Sequence, residues 1–476
     1  MTETFGEPSI AADDTDGPVI DGPVIDGNIP GVPSSRLGWN YYKLFGASTI
    51  SNLGDGIGII AYPWLASALT RNGFLIALVA VAQRLPWLLF SLPAGVITDR
   101  NDRRTLMVWS NWLRAALTLV VAAVVLVRQG SMVGPGEIEA GAPVSDDYVL
   151  YGLVLLATVA MGMAEVLYDN SAQTFMPSVV PPASLEKANG RLWSAEQVAN
   201  TFVGPPLGAL LLVLAFSVPF FVDAATFALS AVLITLIPRG VASPSARLTT
   251  AEPGPADADD SWWVELKDGV RWLWGHPVLR PMAIILGLLN GLFTMSLALF
   301  VLFGQEVLDT SPTEFAILGT GGAIGAVIAG WVASSVAAKI GSGPSLATTL
   351  IGGGLTSIVI GLASQWPLVW LMFALSSFGA TLWNVITVSL RQTIIPDHLL
   401  GRVNSVYRFF AWGMMPIGAL LAGLIVTVTE VFGSRELALR LPWLIAGVAQ
   451  LLLYGFAGRR LTTEKMDQAR ADALTE

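Results

Sequence analysis

Cysteine does not occur in the 476 residues, which excludes disulfides and thiolate metal sites. Histidine occurs twice, as His276 and His398, and two imidazoles so far apart make no case for a metal site. No G-x-x-x-x-G-K-[ST] stretch is present, so ATP is not bound by a phosphate loop. No nucleophile–base pairing stands out either, and an enzyme is the least expected class. Charge itself is scarce: Asp, Glu, Lys and Arg make up 13% of the chain, about half the roughly 25% of soluble domains. The net charge of −9 argues for no nucleic-acid partner. No cofactor and no metal are expected.

What is present is apolar. Hydrophobic residues make up 53%, the mean hydropathy is +0.63, and runs of about 20 apolar residues, each long enough to cross a bilayer, recur along the chain. They predict an all-α membrane protein with twelve transmembrane helices at about 42–67, 73–98, 105–128, 148–174, 188–214, 217–237, 281–303, 314–338, 344–364, 367–392, 401–428 and 438–458. The expected organisation is an acidic, disordered tail at 1–36, a six-helix bundle at 37–238, a linker at 239–280, a second bundle at 281–458 and a tail at 459–476. The tail carries GPVIDG in tandem and lacks the basic start of a signal peptide. The linker ends in SWWVELKDGVRWLWGHPVLR, whose tryptophans and charges alternate as in a helix lying on a membrane surface. With both termini cytoplasmic, nineteen Lys and Arg fall on the inner side, four outside and three within helices. That bias fixes the expected orientation.

The two bundles repeat. Gly190-Arg191-Leu-Trp-Ser194 precedes Pro205 as Gly401-Arg402-Val-Asn-Ser405 precedes Pro416, and Gln173–Pro177 answers Gln392–Pro396. Duplicated six-helix bundles make a pseudo-symmetric transporter with its site near the midplane.

Residues 95–104, GVITDRNDRR, place five charges between two apolar helices, where only water or headgroups can solvate them. They resemble the G-x-x-x-D-R-x-x-R-R/K loop of the major facilitator superfamily. Stretches such as SNLGDGIGIIAYPWLA, FVGPPLGALL and SLRQTIIPDHLLGRVNSVYRFFAWGMMPIGALLAGL are similar to its secretion-effector branch of enterobactin and macrolide exporters. The resemblance covers roughly 37–460. It implies the major facilitator fold in a bacterial cytoplasmic membrane. It also implies a secondary transporter, expected as a monomer, exporting a small amphipathic compound (a drug, antibiotic or siderophore-like metabolite) by alternating access in exchange for protons. The alternative readings are a nutrient importer of the same fold and a non-transporting membrane receptor or scaffold. Carried over, Asp99 is the acid that latches the halves, Arg100, Arg103 and Arg104 are its neighbours, and Gly95 permits close packing. Asp102 stands where Gly is common, and the second-half counterpart, Gly330 through Ser334 to Lys339, has no Asp. Gly204, Pro205 and Gly208 match part of the antiporter signature, with Ala209 where a second Gly is usual, and are expected to bend helix 5.

Ionisable residues inside the membrane are functional candidates. Asp55 and Arg84 fall at equal depth in helices 1 and 2 and are expected to pair, either as a structural bridge or as a proton or substrate switch. Glu165 and Asp169 share a helix face, with Arg114 and Glu196 at similar depth, either as packing salt bridges or as an acidic site for protons or a cationic compound. The repeat sets Asn384 opposite Glu165 and Arg408 opposite Gln197, so proton handling is expected in the first half. Asp223, near a helix start, reads as a cap. GTGGAIG at 319–325 reads as close helix packing, and Trp64, Trp87, Trp109 and Trp112 mainly as interface anchors.

Overall fold

The computed structural model describes residues 37–475, apart from 140, 141, 145, 182, 183, 240–266, 268 and 459. The acidic tail at 1–36 and most of the linker, including Trp262 and Trp263, lie outside the described residues. Of the surface helix only its end is described: residues 269–275 are helical, with Leu273 buried and Val270 and Trp274 exposed.

Twelve long helices build the described bundle. They are α1 (Trp39–Leu69), α2 (Gly73–Arg100), α3 (Arg103–Arg128), α4 (Tyr148–Val179), α5 (Leu185–Gln197, Val198–Val203 and Gly204–Leu214), α6 (Ser217–Thr235), α7 (Leu279–Leu297 and Phe300–Glu306), α8 (Pro312–Ile340), α9 (Ser342–Leu362), α10 (Trp366–Ile394), α11 (Asp397–Phe432) and α12 (Arg435–Ala457); α13 (Thr463–Thr475) follows. Eleven of the twelve are long and apolar enough to cross a membrane. The twelfth, α1, carries Asn52 and Asp55 and packs against α4, α5 and α6. Leu89, Leu156, Val213, Leu362, Phe432 and Leu452 project outward on different helices, a belt of exposed apolar side chains that only lipid would cover.

Local signals set the breaks. Asn72 caps α2 by accepting from the amides of Phe74 and Leu75. Ser311 and Glu314 form a capping box at the start of α8. Between α8 and α9 a single residue, Gly341 with φ of 86°, reverses the chain in the left-handed region that glycine favours.

The packing has the symmetry that the repeat implies. α1 meets α6 as α7 meets α12, α3 meets α6 as α9 meets α12, and α2 meets α4 as α8 meets α10. Likewise α3 meets α4 as α9 meets α10, and α1 meets α5 as α7 meets α11. Shifting every label by six turns α2–α11 into α8–α5, and these two contacts join the halves. Glycines set the closest approaches: a Cβ on Gly204 would lie 2.5 Å from Gly56 Cα, and one on Gly208 2.7 Å from the Ile57 carbonyl. Gly418 sits against the Gly291 backbone in the matching α7–α11 seam, and Gly321 and Gly325 of the 319–325 stretch against the α10 backbone.

Candidate functional site

A cavity of about 1480 Å³ lies between the halves. Its first-half wall includes Asp55 on α1, Arg84 on α2, Arg114 on α3, Glu165 on α4 and Asp223 on α6. Its second-half wall is uncharged, with Phe293, Phe300, Phe315 and Phe373 toward one end and Ser377, Thr381 and Asn384 toward the other. The first half therefore carries the ionisable groups, while Asn384 faces them as a neutral amide.

The expected Asp55–Arg84 pair is not formed. Asp55 instead pairs with Arg114, whose Nη2 donates to its Oδ1, while Nη1 donates to Ser51 Oγ at 3.2 Å. Arg114 is 2% exposed in its side chain, and its guanidinium lies 3.9 Å from the centre of the Phe227 ring. Around this pair, Asn111 Nδ2 donates to Ser230 Oγ at 2.8 Å and Ser230 donates to the Ala47 carbonyl at 2.8 Å, tying α3, α6 and α1 together. The reason for the different partner lies in the packing: α1 and α3 both pack along α6, and Arg114 reaches Asp55 over the Phe227 ring of α6. Arg84 extends into the cavity, where Glu165 is its electrostatic partner. Arg114 also interacts with the charges of Glu165, Asp169 and Asp223. Asp169 and Glu196 are half-buried and lie off the cavity wall. Arg408 lies on α11, and its side chain is outside the described residues.

Asp223 is not a cap. It is the seventh residue of α6, is 2% exposed, and its Oδ1 has no hydrogen-bond partner among the described residues. Its carboxyl and the Thr226 hydroxyl together occupy the notch that Gly54 leaves on α1, next to Asp55. A lone Asp in the apolar stretch FFVDAATFAL was the signal for it.

The α5 element combines a wide turn with a seam. Pro205 and Pro206 lack the amides that would bond the carbonyls of Thr201 and Phe202, and the preceding Val198–Val203 widens into a π-helical turn. Pro205 lines the cavity, whereas Gly204 and Gly208 hold α5 on α1 beside Asp55.

At residues 95–104 the turn is closed by Asp102, which caps α3 through the Thr105 amide at 2.6 Å. Arg104 is buried and donates to the carbonyls of Ile237 (2.6 Å) and Thr235 (2.5 Å), closing the end of α6; Arg103 donates to the Thr174 carbonyl at 3.2 Å. Arg100 is exposed, Gly95 has open space around it, and the Asp99 side chain is outside the described residues.

At the opposite end of the bundle the halves are joined twice. Phe300 packs with Phe315, Phe373 and Trp443 at centroid distances of 4.9, 5.2 and 5.9 Å, and Trp64 meets Phe315 at 6.1 Å. Trp64 is thus a fully buried plug residue rather than an interface anchor. Trp87 lines the cavity and stacks on Trp412, while Trp109 and Trp112 are exposed. Beyond the plug, Arg71 donates to Gln305 (2.6 Å) and Glu306 (3.4 Å), Gln305 to Ser67 (3.0 Å), and Arg435 to Glu306 (2.9 and 3.2 Å), Glu430 and the Arg71 carbonyl (2.8 Å). Of these residues, the sequence marks only Arg71 and Arg435, as two of the four basic residues expected outside. The cavity wall runs away from this clasp to Trp193 and Trp331, which are 65% and 81% exposed.

Comparison with known proteins agrees with this architecture. The family model of the Major Facilitator Superfamily matches residues 44–419. The multidrug efflux pump Tap of Mycolicibacterium fortuitum is 27% identical over 429 residues, spanning 86% of this chain and 94% of that protein. The enterobactin exporter EntS of Citrobacter koseri is 28% identical over 212 residues, 43% of this chain and 49% of that protein. Among solved structures, the nucleoside transporter NupG (D323A mutant) superposes with a TM-score of 0.66 at 10% identity, covering 89% of this chain and all of that one. A bacterial homologue of the iron transporter ferroportin, solved inward-facing, gives 0.63 at 18% identity, covering 87% of this chain and 98% of its own.

Proposed function

The chain belongs to the Major Facilitator Superfamily of secondary transporters, and from that premise we propose that it exports a small amphipathic compound across a bacterial cytoplasmic membrane in exchange for protons. The observation that carries this reading is the two-sided cavity. One wall offers carboxylates and guanidinium groups; the other offers phenyl rings, hydroxyls and an amide. A compound with an apolar ring system and a polar or cationic end fits both walls, and about 1480 Å³ exceeds the 300–1,000 Å³ usual for a single-ligand pocket. The names of the relatives, a multidrug efflux pump and an enterobactin exporter, agree with export.

In this reading the Lys/Arg-rich end, with residues 100–104 and both termini, faces the cytoplasm, and the Arg71–Glu306–Arg435 clasp faces out. The described state is then closed outside and accessible from the cytoplasm, ready to take up cargo. Asp55 is the coupling carboxylate. While ionised it holds Arg114; a proton on Asp55 removes the ion pair, and the guanidinium must find another partner, which alters how α1 sits against α3. Glu165 and Arg84 stand in the cavity as groups for the polar end of the cargo. Gly204 and Gly208 keep α5 seated on α1, so that movement at Asp55 is carried to α5 and across the α5–α8 seam to the other half. Asp99 latches the cytoplasmic side when the outside is open.

The test is transport by the purified protein in proteoliposomes. A panel of lipophilic cations, macrolides and catecholates is offered with and without an imposed pH gradient. Accumulation of panel members only when the gradient is present supports proton-coupled export of amphipathic compounds. Accumulation independent of the gradient contradicts the coupling, and movement of none of the panel contradicts the substrate class.

A further inference from the structure

Two buried polar atoms near Asp55 have no hydrogen-bond partner among the described residues: Nε of Arg114, a donor, and Oδ1 of Asp223, an acceptor. Leaving such groups unmet is costly, and native proteins usually leave few. Here the two are complementary, and their side chains interact electrostatically. The Arg114 guanidinium lies over Phe227, and Asp223 is four residues earlier on α6, one turn along the same face. On the other side, Asp223 and Thr226 fill the notch at Gly54, adjacent to Asp55 on α1. The guanidinium therefore interacts with the charges of both carboxylates and bonds one of them, Asp55. The remaining titratable groups around it are Tyr62 on α1, Glu165 and Asp169 on α4, Glu196 on α5 and, across the cavity, Arg84 on α2.

We propose that Asp223 is the second acceptor of Arg114, so that the guanidinium moves from Asp55 to Asp223 when Asp55 takes up a proton. The step balances simply: hydronium in the cavity gives its proton to the Asp55 carboxylate, leaving water and a neutral carboxylic acid. Arg114 remains a cation, its bond to Asp55 breaks, and a charge-assisted bond to the Asp223 carboxylate forms. The three groups pass from a net charge of −1 to 0. The α3–α1 tie is replaced by an α3–α6 tie, and the arginine is never left buried without a counter-ion, a condition that would be strongly destabilising. Small side chains make the exchange possible: any Cβ at position 54 would overlap Asp223.

The inference rests on the proton-coupled reading for its purpose, but its test does not need transport. Asp55→Asn, Asp223→Asn, Glu165→Gln and the two double variants that combine Asp55→Asn with either of the others are purified in detergent, and their melting temperatures are measured. If Asp223 is the reserve partner, Asp55→Asn alone keeps Arg114 paired. The Asp55→Asn/Asp223→Asn double variant then loses much more melting temperature than the sum of the two single shifts. The double variant with Glu165→Gln is additive. In a structure of Asp55→Asn, Arg114 contacts the Asp223 carboxylate. Additive shifts for the Asp55/Asp223 pair, or Arg114 found on Glu165, overturn the proposal. A non-additive cycle in a protein whose transport ignores a pH gradient would keep the exchange and reject the coupling reading instead.

Discussion

Replacing Glu306 by alanine tests the Arg71–Glu306–Arg435 clasp most sharply. Glu306 accepts from Arg435 at 2.9 and 3.2 Å and from Arg71 at 3.4 Å, and so joins the end of α7 to the α1–α2 and α11–α12 connections. The three side chains are 26–30% exposed, so solvent weakens each arm. An exposed ion pair contributes about 0.2–1 kcal/mol, and hydrogen bonds to charged groups about 1.5–3 kcal/mol. Two partly screened pairs then stabilise the closed clasp end by about 1–2 kcal/mol, a factor of roughly 5–30 in the ratio of closed to open. Because the chain has no cysteine, paired spin labels can be placed without background on Ser131→Cys and Gln365→Cys, exposed positions on the two halves at the clasp end. Glu306→Ala is expected to lengthen the distance distribution between them by populating an open component several-fold larger than in the parent. An unchanged distribution would refute the clasp, since the aromatic plug alone would then hold that end shut.

Three further outcomes follow from the same geometry. Asp55→Ala removes the partner of a 2%-exposed guanidinium, which would cost about 3–5 kcal/mol if Arg114 were left without a counter-ion; with Asp223 as its second acceptor the loss measured by thermal or denaturant unfolding is expected to stay well below that, and the full loss would mean that Arg114 has no other partner. Gly204→Val places branched atoms where Gly56 Cα would lie 2.5 Å from a Cβ. It is expected to cost at least about 1–3 kcal/mol and to abolish transport, with poor membrane yield as the first sign. Asp99→Asn is expected to impair transport far more than Ser334→Ala, because the second-half counterpart of the loop has no acid; equal effects would show that the two loops act alike.

Most of the architecture was legible, because a bilayer forces long apolar helices and the repeat forces their symmetry. The helix starts at 73 and 148 coincide with those read from the sequence, and the break at Pro205 was marked by a residue that cannot donate. What could not be read was azimuth. Counting residues gives depth along a helix, and depth set Arg84 level with Asp55 while grouping Arg114 with Glu165. The choice depended on α1 and α3 both packing on α6, which brings Arg114 to Asp55 across Phe227. The same limit hid Asp223: its distance from a helix start resembled a cap, and only the missing Cβ of Gly54 on another helix shows why a carboxyl fits there. Trp64 failed for the opposite reason, since an indole near a helix end serves an interface or a plug depending on what the other half presents.

The central claim is that cargo leaves as protons enter through one site containing Asp55. It is tested most directly by the proton movement that cargo itself drives. Proteoliposomes holding the purified protein and a trapped pH dye are loaded with ethidium, a lipophilic cation, at equal pH on both sides and diluted into ethidium-free buffer. Exchange predicts a change of internal pH that follows ethidium efflux, in the direction of proton entry, and its loss in Asp55→Asn. Ethidium efflux through the protein with no accompanying pH change, or a pH change that persists in Asp55→Asn, would contradict it.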